Sequence, residues 1–211
     1  MSEAGQTFAF RERLELWSAL LMAAATVATA YSAYESTRWS GEQSTQFTQA
    51  GATRVESSKA NTAATAQIIV DASLFTQAAV AFSEGNQKGV DLIEGFFRKE
   101  FQPAFREWVA MDPLTNPKAP ATPFSLDSYE LAKEQESKQL EKEATAHFDA
   151  GRDANQTGDN YVLATIFFAA VLFFAGIATK FTSDRIVALT LGAGTVVFLG
   201  GLARLMTLPF L

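Results

Sequence analysis

Few side chains in this sequence can do chemistry. There is one histidine, His147, and no cysteine, so thiolate catalysis, disulfides and cysteine metal sites are all excluded. Glu143 and His147 stand four residues apart, a spacing that puts both on one helix face. Two ligands make at best a partial metal site, and a helix-stabilising surface pair is the expected use of the two. Neither a P-loop nor a dinucleotide-type glycine loop is present, and no serine stands in a nucleophile elbow. The sequence predicts a protein that is not an enzyme, with no cofactor and no metal.

Polar residues in apolar surroundings carry more information. Ser18, Met22, Ala25, Thr29, Ser32, Ser36, Trp39 and Gln43 recur in alternating steps of four and three, a heptad seam with little hydrophobic bulk. Such a seam suits close helix contact. Its polar members Ser18, Thr29, Ser32, Ser36 and Gln43 could also line a pore between copies of the chain. Glu35 and Arg204 are single charges at the ends of apolar runs. Arg204 follows Arg185 by 19 residues, about 28 Å along a helix, and Glu35 follows Leu16 by the same number. If both helices start at one face, Glu35 and Arg204 reach the same level and pair or share a polar ring. An arginine at the centre of a bilayer costs about 2.5 to 3.5 kcal/mol on insertion scales and is by default a functional-site hypothesis, although snorkelling to headgroups offers a plainer explanation. Ala188, Gly192, Val196 and Gly200 are small or slim residues four apart, a groove for close helix packing in lipid.

A third constellation is aromatic. Val90, Ile93, Phe97, Phe101, Phe105 and Trp108 recur every three or four residues among charged ones. The pattern fits either the core of a polar domain or, through Phe97, Phe101, Phe105 and Trp108, a surface for a protein partner.

The elements that must hold these residues follow from the distribution of charge. Tyr161–Thr179 and Ile186–Ala203 contain no charged side chain and are separated by six residues. Each is close to the roughly 20 residues that span a hydrocarbon core, so together they predict a transmembrane hairpin. Leu16–Tyr34 is a third uncharged run, bracketed by Trp17 and Trp39 at a separation of about 33 Å along a helix. Arg11, Arg13 and the small residues Ala28-Thr29-Ala30 also have the form of a cleaved signal peptide; the anchor reading is preferred.

Between these runs the chain is polar. Glu35–Asp159 holds 19 acids against 12 Lys or Arg, a net charge of −7 within a chain total of −6, which argues against nucleic acid. The predicted organisation is all-α. It comprises a tail over 1–13, a membrane helix over 14–35, a polar helical domain over 36–159, and membrane helices over 160–180 and 185–208. The polar domain contains a long helix over 36–84, a break at Gly85-Asn86, and an amphipathic helix over 88–110 with a kink or restart at Pro103. A loop over 112–126 follows, with Pro113, Pro117, Pro120 and Pro123, and then a helix over 128–157. Arg11, Arg13, Lys180 and Arg185 flank the spans on one side, which predicts a cytoplasmic N-terminus and an extracytoplasmic polar domain.

Two stretches have the look of a motif: Ser32–Phe47, with Tyr34, Arg38-Trp39-Ser40-Gly41 and Gln43, and Ala144–Asp153 ahead of the second span. In these, and in its architecture, the chain resembles bacterial membrane-protein families of unknown function built as one N-terminal membrane helix, a helical polar insert and a C-terminal two-helix hairpin. The resemblance supports the topology and carries over no catalytic residue; the expected location is the bacterial inner membrane. The expectation is a non-enzymatic integral membrane protein that partners the lipid bilayer and associates with itself as a homo-oligomer. Its role is either an oligomeric pore lined by the polar face of the first helix, or a membrane-anchored scaffold or sensor whose helical domain binds a protein partner.

Overall fold

The computed structural model describes residues 3–211, with side chains from Phe10 onward. It is 81% helical, with no strand among the described residues. The helices are α1 (Glu3–Ser83), α2 (Gln87–Glu94), α3 (Gln102–Ala110), α4 (Ala132–Ala178) and α5 (Asp184–Leu205), with a 3-10 turn at Pro123–Ser125. Three of them, α1, α4 and α5, contain a stretch long and apolar enough to cross a membrane. The chain divides into two compact units. Unit 1 holds the chain up to Thr48 together with His147–Leu211, and unit 2 holds Gln49–Ala146.

Helix α1 is 81 residues long and rich in Ser and Thr, which usually weaken helices by offering the backbone other partners. Here their hydroxyls turn back onto their own helix. Thr26, Thr29, Ser32, Thr37, Ser40, Ser44, Thr45 and Thr48 each donate to the carbonyl four residues earlier at 2.7–3.0 Å, so the hydroxyl is satisfied inside the turn that carries it. No proline interrupts the run. The segment expected as a tail over 1–13 belongs to this helix from Glu3 onward, because extending an existing helix costs far less than nucleating one.

In unit 1, Leu21 and Ala25 of α1 pack with Ala164, Phe168, Val171 and Ala175 of α4 and with Val187 and Leu191 of α5. Small residues let the axes approach. A Cβ on Gly201 would lie 3.2 Å from the Phe168 ring, and one on Gly151 only 2.6 Å from the Phe47 ring. The contact between α1 and α4 continues past the apolar stretch. Phe47 meets Phe148 at 5.4 Å, so 36–48 and 147–159 belong to unit 1 and the polar domain is shorter than the expected 36–159.

In unit 2 the core is aromatic. Phe75 and Ala78 of α1 pack with Val90, Phe97, Phe101, Phe105 and Trp108, and Phe124 and Tyr129 close the cluster. The amphipathic segment over 88–110 is two helices with 95–101 as the connection, and the second begins at the restart expected at Pro103. Asn86 caps α2 by accepting from the Gly89 N–H at 3.0 Å, and α3 starts with Pro103 in its first turn, where a missing N–H goes unnoticed. The proline loop is tied down, since the Trp108 indole donates to the Pro120 carbonyl at 2.9 Å.

Candidate functional site

The polar seam of α1 runs along the inside of unit 1. Ser18 and Ser32 are buried, and Met22, Thr29, Ser36, Trp39 and Gln43 are half-buried. The Ser18 hydroxyl donates across to the Ala175 carbonyl of α4 at 3.0 Å, whereas Thr29 and Ser32 donate to Ala25 and Ala28 on their own helix. Gln43 borders a cavity of about 440 Å³ with Phe47, Arg152 and Asn155. The seam therefore packs against helices of the same chain, and the hydroxyl protons of Ser18, Thr29 and Ser32 are already committed.

Charged groups collect at the two ends of this unit. At one end Arg11 grips the turn between α4 and α5. Its guanidinium donates to the Phe181 and Thr182 carbonyls and to Asp184, each at 3.1 Å, and to Glu15 at 3.3 Å. Asp184 and then Glu15 raise its pKa further above the arginine value. At the other end Glu35, only 3% exposed, meets Arg38 at 3.4 Å and the Leu211 N–H at 3.4 Å. Arg204 instead donates to Asn160 at 3.2 Å and to Thr207 at 3.3 Å. Glu35 and Arg204 thus take different partners. Arg38 is closer to Glu35 in sequence and wins the carboxylate, and Asn160 on α4 offers Arg204 an acceptor within reach.

Helix α5 carries two sets of small residues on different faces. Gly194 and Gly201 are buried, with Phe174 and Phe168 against them. Gly192 and Gly200 have nothing within 4 Å of an added Cβ. Of the groove expected at Ala188, Gly192 and Gly200, Ala188 is half-buried and both glycines are exposed, so packing within the chain uses the other face.

The four aromatics expected as a partner surface are core residues: Phe97 is 4% exposed, Phe101 0%, Phe105 1% and Trp108 5%. The core reading of these residues holds, and the alternative of a partner surface through them is corrected. Rings of this size dominate burial wherever a polar unit needs a core, and Phe97 lies 4.7 Å from Phe101 and 4.9 Å from Phe105. Beside them is an ionic group that the sequence reading missed. Asp71, 1% exposed, accepts from Arg98 at 2.7 Å and from the Tyr129 hydroxyl at 3.0 Å, and the Arg98 guanidinium lies 5.2 Å from the Tyr129 ring. Burial, and then the bond to Asp71 and its charge, push the Tyr129 phenol up to about 12. For Arg98, burial lowers the pKa, but Asp71 outweighs it and the net shift is upward. The signal was there to read in Asp71, the one acid among Ile68, Ile69, Val70, Leu74 and Phe75, because an unpaired carboxylate is rarely buried. Asp71 and Arg98 border a cavity of about 360 Å³ with Ala66, Gln67, Val70 and Phe96.

His147 and Glu143 take other partners than each other. His147 Nδ1 lies 2.8 Å from Gln46 Oε1, while Glu143 accepts from Gln139 at 2.8 Å. Gln46 Nε2 also donates to Glu42 at 2.7 Å, which leaves its Oε1 as the acceptor and makes Nδ1 the protonated nitrogen of His147. The histidine thus ties α4 to α1. Among the described residues no group of three or more His, Cys, Asp or Glu side chains could hold a metal ion. The chain matches no protein-family model, no curated protein and no solved structure.

Proposed function

We propose that this chain is a non-enzymatic integral membrane protein in which α1, α4 and α5 form the anchor and unit 2 is an interaction module, the scaffold or sensor role. One observation carries the anchor: only 22–33% of each apolar stretch is buried within the protein. Leu16, Val27, Ile166, Phe173, Leu189 and Val196 are 59–77% exposed, far beyond the scattered apolar exposure of a soluble monomer. Hydrocarbon is the solvent that removes this cost, and helices keep their backbone groups satisfied in it. Arg11, Arg13, Lys180 and Arg185 favour a cytoplasmic location for the α4–α5 turn and an inner-membrane orientation with unit 2 outside. Brominated lipids report on the anchor directly. Trp17, 47% exposed, should be quenched in reconstituted protein and Trp108, 5% exposed, should not; an unquenched Trp17 would sink the reading.

The interaction role rests on Val70 and Phe96, 55% and 69% exposed, which flank the cavity beside the buried Asp71. A photo-crosslinker at position 96 should capture a second protein in cells, and Val70→Asp should abolish the capture while insertion is unchanged. A crosslinker that captures nothing removes the role. Self-association is favoured by the open glycines Gly192 and Gly200, which leave α5 a face for a second copy at close range. The pore reading is not retained, because the hydroxyls of Ser18, Thr29 and Ser32 are already hydrogen-bonded inside unit 1.

A further inference from the structure

Between Ala60 and Ser83 helix α1 carries one ionisable side chain, Asp71, and that one is 1% exposed and paired with Arg98. The outer face of this stretch is therefore without charge. A helix wetted on one side normally shows charged residues there, as the start of α4 does with exposed Glu136, Lys138, Glu141 and Lys142. On α1 the exposed residues include Thr62, Ala66, Ile69, Ser73, Thr76 and Val80. They recur in alternating steps of four and three, a heptad seam on the side of the helix away from Asp71, Phe75 and Ala78. Ile69 is 65% exposed and Val80 52%. Val55, Thr62, Ile69 and Thr76 stand seven apart and all are β-branched, the type that favours two strands at one core position of a parallel coiled coil. The Thr62 and Thr76 hydroxyls donate to the Ser58 and Ala72 carbonyls of their own helix at 2.9 and 2.8 Å. A threonine satisfied in this way enters a dry contact without losing a hydrogen bond.

We infer that this face of α1 in unit 2 docks on the same face of a second copy, as a parallel pair centred on Ile69. Three observations select that occupant. The face carries no charge, so placing it against itself brings no like charges together, whereas a partner recognised by charge would find nothing to pair with. Its seven-residue repeat gives each β-branched side chain an identical neighbour across a two-fold axis, the isologous contact that closes a dimer. Its direction is fixed as well: α1 is one continuous helix from the spanning stretch into unit 2, so copies in one bilayer present it pointing the same way. This last step rests on the membrane reading above. The seam is thin, and two such helices free in water would pair weakly. Anchoring in a shared bilayer raises the effective concentration of one face for the other.

The chain contains no cysteine, so single cysteines report without background. In the full chain in bilayers, T62C, I69C and T76C should each form a disulfide-linked dimer under mild oxidation at least fivefold faster than I68C or V70C. Ile68 and Val70 are also exposed, 40% and 55%, but lie about 100° to either side of Ile69 on the helix. Parallel pairing requires T62C to link with T62C and T76C with T76C; an antiparallel pair centred on Ile69 would link only T62C with T76C. Ile69→Lys puts a charge at an exposed site and should slow both T62C and T76C linkage at least tenfold at native helicity. Thr76→Lys, tested with T62C, is the independent second variant. Equal rates at all five positions, mixed linkage alone, a product of other than twice the chain mass, or linkage unchanged by both lysines overturns the proposal. Trp17 quenching in the same samples separates the two readings. With Trp17 quenched, absent linkage removes the face and leaves the anchor; with Trp17 unquenched, the anchor fails and the parallel alignment fails with it.

Discussion

Helix α1 runs through both units and buries small residues along most of its length, Ala50, Ser57, Ala60 and Ala64 of unit 2 among them, with a cluster of rings only from Phe75 on. Up to Thr48 it offers Ser18, Leu21, Ala25 and Ser32 to its neighbours, so contact is made by small residues and by backbones brought close together. From Phe75 to Phe82 it meets rings, and Phe75 lies 5.1 Å from Trp108 and 5.4 Å from Phe124. On the proposed membrane reading, solvent contributes to the contrast between the spanning stretch and the Phe75–Phe82 end. In lipid, burying an apolar side chain gains little because tails are as apolar as leucine, so van der Waals contact between small residues drives association. In water each ring removed from solvent is worth kilocalories, and a short unit gets most stability from the largest side chains.

The largest effect should come from breaking the aromatic side of this comparison. Phe101, fully buried between Phe97, Phe124 and Tyr129, should cost about 3–5 kcal/mol when cut to alanine, from lost transfer energy and the cavity left behind. Hydrogen exchange on the intact protein should then quicken across 87–110 and leave 184–205 as slow as before. If α5 loosens equally, the two units do not hold themselves separately and the comparison fails.

Next in size is a contrast between neighbouring glycines. Gly201→Leu drives a side chain into Phe168 and Phe167, whose atoms stand 3.2 and 3.3 Å from an added Cβ, and overpacking of this kind costs roughly 1–3 kcal/mol. Gly200→Leu points into open space and should leave protomer stability unchanged while weakening self-association. Thermal denaturation in detergent reads the first, and oligomer mass at several protein-to-detergent ratios reads the second. Equal destabilisation by both would mean that α5 packs by a different face.

Much of this was legible in the sequence, and what was not has definable causes. The uncharged runs gave three helices of the right type because length and absence of charge are properties of the chain alone. Continuity of α1 was legible from missing prolines, but its start at Glu3 was not, since polar residues next to an established helix join it at little cost. The seam was legible as a contact face because heptad spacing is geometric. Which of the two glycine faces of α5 turns inward was not, because Gly192/Gly200 and Gly194/Gly201 have equally good spacing and only the phenylalanines of α4 choose between them. The aromatic run gave its own core assignment by amphipathic spacing, yet the same spacing fits a partner surface. The decision came from Phe75, Phe124 and Tyr129, which approach from distant parts of the chain. Asp71–Arg98 and Arg11–Asp184 span 27 and 173 positions, and no local pattern specifies a pair at that separation.

A smaller effect concerns pH. Tyr129 has its phenol raised from 10.0 to about 12 in the folded protein, so the folded state holds its proton more tightly than the unfolded one. Below pH 10 both states are protonated and stability does not depend on this group. Between pH 10 and about 12 the unfolded state ionises first, and stability falls as pH rises. Urea midpoints for unit 2 should decline over that window, and Tyr129→Phe should flatten the decline. A slope that persists in Tyr129→Phe would assign it elsewhere.

The smallest effect is the most telling about the lipid side. Ser32 is fully buried and its sequence position would suit a polar path, so its removal ought to matter if that path exists. Its hydroxyl, however, donates to the Ala28 carbonyl at 2.9 Å, an oxygen that the helix ladder already satisfies. Alanine deletes the hydroxyl together with its need for a partner, leaves a void smaller than a methyl group, and is the better helix former. Ser32→Ala should therefore change stability by less than about 0.5 kcal/mol, and ion flux in proteoliposomes should match the native protein. The same substitution at Ser18 removes a bond that crosses to α4, at 3.0 Å, and should cost more, about 1 kcal/mol. The ordering Ser18 above Ser32 follows from hydrogen-bond destination alone. The reverse ordering, or a flux change at Ser32, would show that the seam serves water or ions rather than helix contact.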